Sequence, residues 1–207
     1  MRIVFISDTH NRHADLELPA GDLLVHAGDF SSRGREWEVR EFMAWFSQQS
    51  HARKVVVAGN HDFLAENDPA AFAALVPAGV DYLNDSGVEI GGLQIWGSPV
   101  QPEFYDWAFN RKRGPEIARH WALIPEGTDL LVTHGPPYGA LDKTTRGEPV
   151  GCKDLRKLVE AIRPRIHVFG HIHEAYGTYT EAGVHYINAS SLDERYLLRH
   201  APVVVDI

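Results

Sequence analysis

Aspartate, asparagine and histidine recur at five places in this 207-residue chain, in Ser7-Asp8-Thr9-His10, Gly28-Asp29, Gly59-Asn60-His61-Asp62, His134-Gly135 and Gly170-His171-Ile172-His173. Carboxylate, amide and imidazole together make a mixed oxygen and nitrogen donor set, which suits Mn, Fe, Zn or Co better than Ca. No cysteine stands among them, which argues against a structural thiolate zinc site. Two divalent ions about 3.5–4 Å apart can hold a nucleophilic water and the oxygens of a phosphoryl group, lower the pKa of that water and neutralise developing charge. Such a pair needs a bridging carboxylate. Asp29 is the candidate, because the tight Gly28-Asp29 step carries a short carboxylate off the end of an apolar run. Taken singly, an aspartate can cap a turn and a histidine can sit satisfied in a core. The five places in chain order favour a shared metal site.

Each place follows a short apolar run: Ile3–Ile6, Leu23–Ala27, Lys54–Val57, Leu130–Thr133 and Ile166–Phe169. These runs have the length and β-branched content of buried strands, so the polar residues fall where strands end and loops begin. Open α/β sheets bind ligands at that edge. Helical spacing of bulky residues predicts a helix over 36–49, and Asp68-Pro69 starts a short helix through Leu75. A hairpin is predicted around Gly91-Gly92, with helices near 115–122 and 152–163 and β segments at 166–170, 176–181, 184–188 and 202–207. The Pro-, aromatic- and basic-rich segment 98–115 reads as a loop across the active face, and 135–151 as a second loop. Of Phe104, Tyr105, Trp107 and Phe109, at least two are expected to pack beneath the first loop, leaving the others free to stack on a base. Patterning alone supports a mixed α/β fold with two sheets, in a single domain over 1–207.

A formal charge of −8 argues against binding extended nucleic acid, which needs a basic face. It does not argue against a small phosphate ester, because divalent ions dominate the field of a metal site. No apolar stretch approaches the roughly 20 residues that cross a bilayer, so no membrane partner is expected. The run Ile3–Ile6 is too short for a signal-peptide core, and the single Cys152 allows no intramolecular disulfide. A cytoplasmic location is the expectation. Nothing in the sequence fixes an oligomeric state.

The ordered set Asp-x-His, Gly-Asp, Gly-Asn-His-Asp, His-Gly and Gly-His-x-His resembles the calcineurin-like metallophosphoesterases, from Asp8 to His173. Connecting phrases such as His26-Ala27-Gly28-Asp29-Phe30, Trp107-Ala108-Phe109-Asn110, Thr133-His134-Gly135-Pro136-Pro137 and Tyr186-Ile187-Asn188-Ala189-Ser190 are similar to one branch, the metallophosphoesterase-domain-containing proteins related to the brain and fetal-brain phosphodiesterases. The resemblance implies a four-layer α-β-β-α sandwich with two mixed β-sheets. It also implies a phosphodiesterase that hydrolyses small phosphodiesters, cyclic nucleotides among them, by attack of a metal-bound hydroxide at two divalent ions, Mn, Fe, Zn or Co, with Mn the expected choice in vitro.

By the same resemblance Asp8, His10 and His173 complete the first metal site, Asn60, His134 and His171 complete the second, and Asp29 bridges them. His61 serves the leaving group as an acid, with Asp62 orienting its imidazole. Asn60, His61, Asn110 and Arg111 are implied substrate contacts, with Arg33, Lys112 and Arg113 as further candidates for phosphate. His26 and His167 alternate with apolar residues inside strands, so each reads as a supporting histidine rather than a ligand. His13 stands open between a substrate contact and an exposed loop residue, and Cys152 reads as packing. The protein phosphatases of the superfamily carry Gly-Asp-x-x-Asp-Arg-Gly, where Ser32 here replaces the second Asp. A phosphomonoesterase stays open as an alternative. A catalytically weak scaffold is expected to have lost ligands that this chain keeps.

Overall fold

The computed structural model describes residues 1–207. The elements in chain order are β1 (Arg2–Ile6), β2 (Leu23–Ala27), α1 (Glu36–Ser47), β3 (Arg53–Val57), α2 (Phe63–Asn67), α3 (Pro69–Ala73), β4 (Val80–Tyr82), β5 (Ser86–Ile90), β6 (Leu93–Ser98), β7 (Gln101–Pro102), β8 (Asn110–Arg111), α4 (Pro115–Trp121), β9 (Leu130–Thr133), α5 (Lys153–Ile162), β10 (Ile166–Phe169), β11 (Gly177–Glu181), β12 (Val184–Asn188) and β13 (Val203–Asp206). They build a five-stranded sheet in the order β13-β1-β2-β3-β4 and a six-stranded sheet in the order β11-β12-β10-β9-β6-β5. Both are mixed. Strands β1 to β4 run parallel with β13 antiparallel at the edge, and β6, β9, β10 and β12 run parallel with β5 and β11 antiparallel.

Alternation along the strands makes the layers. Ile3 and Phe5 of β1, Val25 of β2, Val132 of β9 and Val168 of β10 belong to one core between the sheets. Val4, Ile6, Leu24 and Val56 point the other way, onto Val39, Phe42, Met43 and Phe46 of α1. Those four recur at helical spacing, so α1 lays one apolar stripe on the first sheet. Leu131, Phe169 and Tyr186 on the outer face of the second sheet meet Ile117 and Trp121 of α4 with Leu155 and Val159 of α5. The result is helices, sheet, sheet, helices, the sandwich implied by the family resemblance.

Local chemistry accounts for the ends of the elements. Asp68 accepts the Ala71 N–H at 3.0 Å and Pro69 opens α3. The buried Cys152 thiol accepts the Leu155 N–H at 3.4 Å and so caps α5. Gly91 and Gly92, both at positive φ, close the β5–β6 hairpin with Ile90 paired to Leu93. Sequence patterning did not find β4, a three-residue edge strand too short to show a period, or α2, which follows Asp62 directly. Within 98–115, β7 and β8 form a two-residue parallel ribbon that gives the loop a fixed course.

Candidate metal centre

The two sheets meet at the carboxyl ends of their parallel strands. An isolated bridge between Ser7 and Ser190 joins the tip of β1 to the segment after β12, and the Ser191 N–H donates to the Ser7 carbonyl at 2.8 Å. Gly170 lets them come this close, because a Cβ there would collide with the Asp8 carboxylate and the Ser7 hydroxyl. Asp8 Oδ2 accepts from the Ser190 hydroxyl at 2.9 Å, and both Asp8 oxygens take the His171 N–H at 3.0 Å. Asp8, His10, Asp29 and His171 all have left-handed backbones, with φ of 51°, 40°, 57° and 68°. Such strain is held in place by its surroundings: the Asp8 N–H donates to the Gly28 carbonyl at 2.9 Å and the His10 N–H to the Asp29 carbonyl at 3.0 Å.

Three trios of side chains each bring their ligand atoms within 4.8 Å of one another: Asp8, His10 and His173; Asp29, His134 and His171; and His10, Asp29 and His61. Asp29 Oδ2 lies 3.7 Å from His10 Nε2 and 3.4 Å from His134 Nε2, between the first two trios. Asn60 Oδ1 is 2.8 Å from His134 Nε2, and His173 Nε2 is 3.4 Å from Asp8 Oδ1. The ring orientations suit a cation. His134 Nδ1 donates to the Ala27 carbonyl and His173 Nδ1 to the Asp193 carbonyl, each at 3.0 Å, which leaves both Nε2 atoms turned inward. Both ring nitrogens of the buried His10 lack any hydrogen-bond partner. A buried imidazole is not ordinarily left so, and a metal ion would satisfy it.

Electrostatics point the same way. Burial opposes charge on His134, yet the Asp29 carboxylate pushes its pKa up to about 9. Burial opposes it on His173 too, and the Asp8 hydrogen bond pushes that ring up to about 9. Burial pushes His10 down to about 4 and His171 down to about 3. Asp8 and Asp29 are held below the usual carboxylate range by His173 and His134 respectively, against a burial that alone would raise them. Asp8 and Asp29 are thus held as carboxylates at the ring nitrogens.

The structure corrects the expected role of Asp62. Its carboxylate does not touch the His61 ring. It accepts the N–H groups of Gly59 at 2.7 Å and of Asp29 and Ser31 at 3.0 Å, together with the Ser31 hydroxyl at 2.6 Å. Burial, then the Asp29 charge, pushes Asp62 up to about 7 against those donors. Asp62 therefore ties the tip of β3 to the tip of β2. The His61 ring is oriented by the Ser32 carbonyl, 2.8 Å from Nδ1, and by Trp107, whose ring centroid lies 4.2 Å away at 30°.

Asn110 and Arg111 are not brought to the site. Arg111 pairs with Glu66 at 3.0 Å, and the Asn110 amide donates to the Phe104 and Tyr105 carbonyls, fastening the loop. The cation at the site is Arg33, set over Trp107 at 5.6 Å. A cavity of about 510 Å³ opens there, with Asp29, Asn60, His61, His171 and His173 on its floor and Arg33, Phe104, Tyr105, Trp107 and Tyr196 around it. Of the four loop aromatics only Phe109 is buried, so one packs beneath the loop rather than two. Tyr196 was missed. Its ring lies 5.0 Å from that of His10, but its segment has no periodicity or motif to mark it.

Three further histidines are structural. His13 packs edge-on against Phe42, neither exposed nor at the cavity. His26 Nδ1 accepts the Gly28 N–H at 3.2 Å, so its Nε2–H faces the Thr9 hydroxyl at 3.0 Å and bridges the tips of β1 and β2. Thr133, 2.9 Å from His167 Nε2, donates across His134 to the Gly135 carbonyl at 2.8 Å. Each of these two rings supports a threonine next to a candidate ligand.

A calcineurin-like phosphoesterase family model matches residues 1–175. Metallophosphoesterase domain-containing protein 1 of Homo sapiens is 40% identical over 230 residues, covering all of this chain and 71% of that protein. UPF0046 protein T07D4.2 of Caenorhabditis elegans is 38% identical over 237 residues, covering all of this chain and 60% of that protein. One solved crystal structure superimposes with a TM-score of 0.72 at 13% identity, over 99% of this chain and 98% of its own, a likeness of fold. GAP50, the anchor in the inner membrane complex of Plasmodium, superimposes with a TM-score of 0.51 at 10% identity, over 92% and 71%.

Proposed function

The chain belongs to the calcineurin-like phosphoesterase family, and we propose that it is a metal-dependent phosphodiesterase acting on small phosphodiesters, cyclic nucleotides among them. The observation that carries this reading is the Asp29 carboxylate set between His10 and His134, with both His10 ring nitrogens buried and unpartnered. Asp8, His10 and His173 would hold one divalent ion, Asn60, His134 and His171 the other, and Asp29 both. Bound there, two such ions lower the pKa of a water and neutralise phosphoryl charge.

The chain's own residues do the rest. Arg33 adds a guanidinium at the cavity for phosphoryl oxygens. Because His61 Nδ1 faces the Ser32 carbonyl, Nε2 is the atom free to carry a proton to the leaving oxygen. Phe104, Tyr105 and Trp107 offer aromatic faces worth about 1–3 kcal/mol to a stacked base. Asp62 holds Asp29 through its backbone, which keeps the bridging oxygen in register.

Reconstitution tests the reading. Metal-stripped protein titrated with manganese should hydrolyse bis(4-nitrophenyl) phosphate only as a second equivalent binds, and should prefer it to 4-nitrophenyl phosphate. Full activity at one equivalent, or a preference for the monoester, would contradict it.

A further inference from the structure

A second cavity, of about 370 Å³, opens beyond His171. Its floor is Gly135-Pro136, directly after His134, with His171 and Ile172, and its walls include Pro102 and Val150 from the two irregular loops. Arg113 ties those loops together by donating to the carbonyls of Val150 at 2.7 Å and Gly151 at 2.8 Å. His171 and Phe104 line both this cavity and the larger one. Their rings meet at 74° with centroids 5.5 Å apart, so the pair is the partition between the two spaces.

His171 belongs both to the Asp29, His134 and His171 trio and to the lining of this cavity, so the cavity adjoins the place where a phosphoryl group would sit. We infer that the second cavity receives the non-leaving substituent of an acyclic phosphodiester, and that this substituent is neutral and apolar or aromatic. The inference rests on the phosphoesterase reading of the same site and narrows its substrate class. A monoester has one substituent, and a cyclic diester carries both ester oxygens on one body, so neither fills a space beyond the partition. The walls do not favour an anionic group: two donors of the Arg113 guanidinium are spent on carbonyls, and Glu103 adds an exposed carboxylate. Pro102, Phe104, Pro136, Val150 and Ile172 present carbon, which favours burial of an apolar group.

The experiment compares methyl, phenyl and 2-naphthyl esters of 4-nitrophenyl phosphate on manganese-loaded protein. The phenyl ester should exceed the methyl ester at least ~10-fold in kcat/KM, the effect of burying one ring, and the naphthyl ester should do at least as well. Val150→Trp fills the space yet keeps the backbone carbonyl that Arg113 holds, and should bring the phenyl-to-methyl ratio to within about twofold. Should that variant fail to fold or to load metal, Thr144→Trp on the same lining takes its place. A wild-type ratio near one, or a tenfold ratio that survives in a metal-replete filled variant, would overturn the inference. Hydrolysis of none of the esters would overturn the phosphoesterase reading, and the subsite with it.

Discussion

His61 and Asp62 are neighbours in sequence with separate tasks. Asp62 accepts three backbone N–H groups and a hydroxyl and so shapes the loop, whereas the His61 ring stands at the cavity between His10 and Trp107. A general acid matters most where the leaving oxygen is basic. His61→Ala should keep both metals and lose about 100-fold or more in rate on alkyl or nucleoside esters, but less than about tenfold on nitrophenyl esters. A variant that loses a metal would make His61 a ligand instead, a position its distance from His10 and Asp29 permits. Asp8, His10, Asp29, His134, His171 and His173, residue types that ligand chemistry needs, do gather in two trios, whereas the expected contacts Asn110 and Arg111 lie elsewhere. Side-chain partners were not legible in the sequence. That Asp62 binds backbone rather than imidazole, and that Arg111 is spent on Glu66, depends on loop paths that have no period to read.

Parallel strands ending side by side place the ligands, and the contact between two elements from different sheets fixes their spacing. The hydroxyl of Ser190, just after β12, reaches Asp8 Oδ2 at 2.9 Å and Asn188 Oδ1 at 2.8 Å. Ser190→Ala should cost about 1–3 kcal/mol, since it strips a buried carboxylate of a donor, and should weaken metal binding about 10- to 100-fold. Calorimetric metal titration alongside thermal unfolding checks both, and unchanged metal affinity would show that Asp8 is positioned by other contacts. The strands and long helices were plain in the sequence, because unbroken apolar runs such as Ile3–Ile6 have the length and β-branched content of buried strands and bulky residues recur at helical spacing over 36–49. The short pieces, β4, β7, β8 and α2, lie below the length at which a period shows.

The first and last strands of this chain lie side by side. β13 pairs with β1, and the Met1 nitrogen donates to the Ile207 carbonyl at 2.6 Å. The matched family region stops at residue 175, yet β12, Ser190 and Tyr196 come after it and complete the second sheet and the cavity. We therefore expect the full chain to unfold in one cooperative transition, and a fragment of residues 1–175 to show none, because β10 would lose its β12 neighbour. A fragment that melts cooperatively with full metal content would mean that the last 32 residues (207 − 175) are an accessory. No helix is long and apolar enough to cross a membrane.

In the proposed centre Asp29 would join two metal ions, and Asp29→Asn is the substitution that reports on that role. The amide keeps the shape of the side chain but removes the charge set between His10 and His134. Metal stoichiometry and hydrolysis of bis(4-nitrophenyl) phosphate should be measured on the same samples. The expected result is two tightly bound ions in the wild type, reduced occupancy of both in Asp29→Asn, and loss of turnover by about three orders of magnitude or more, the scale of removing ~4 kcal/mol of transition-state stabilisation. Two tightly held ions with ordinary turnover in Asp29→Asn would contradict it.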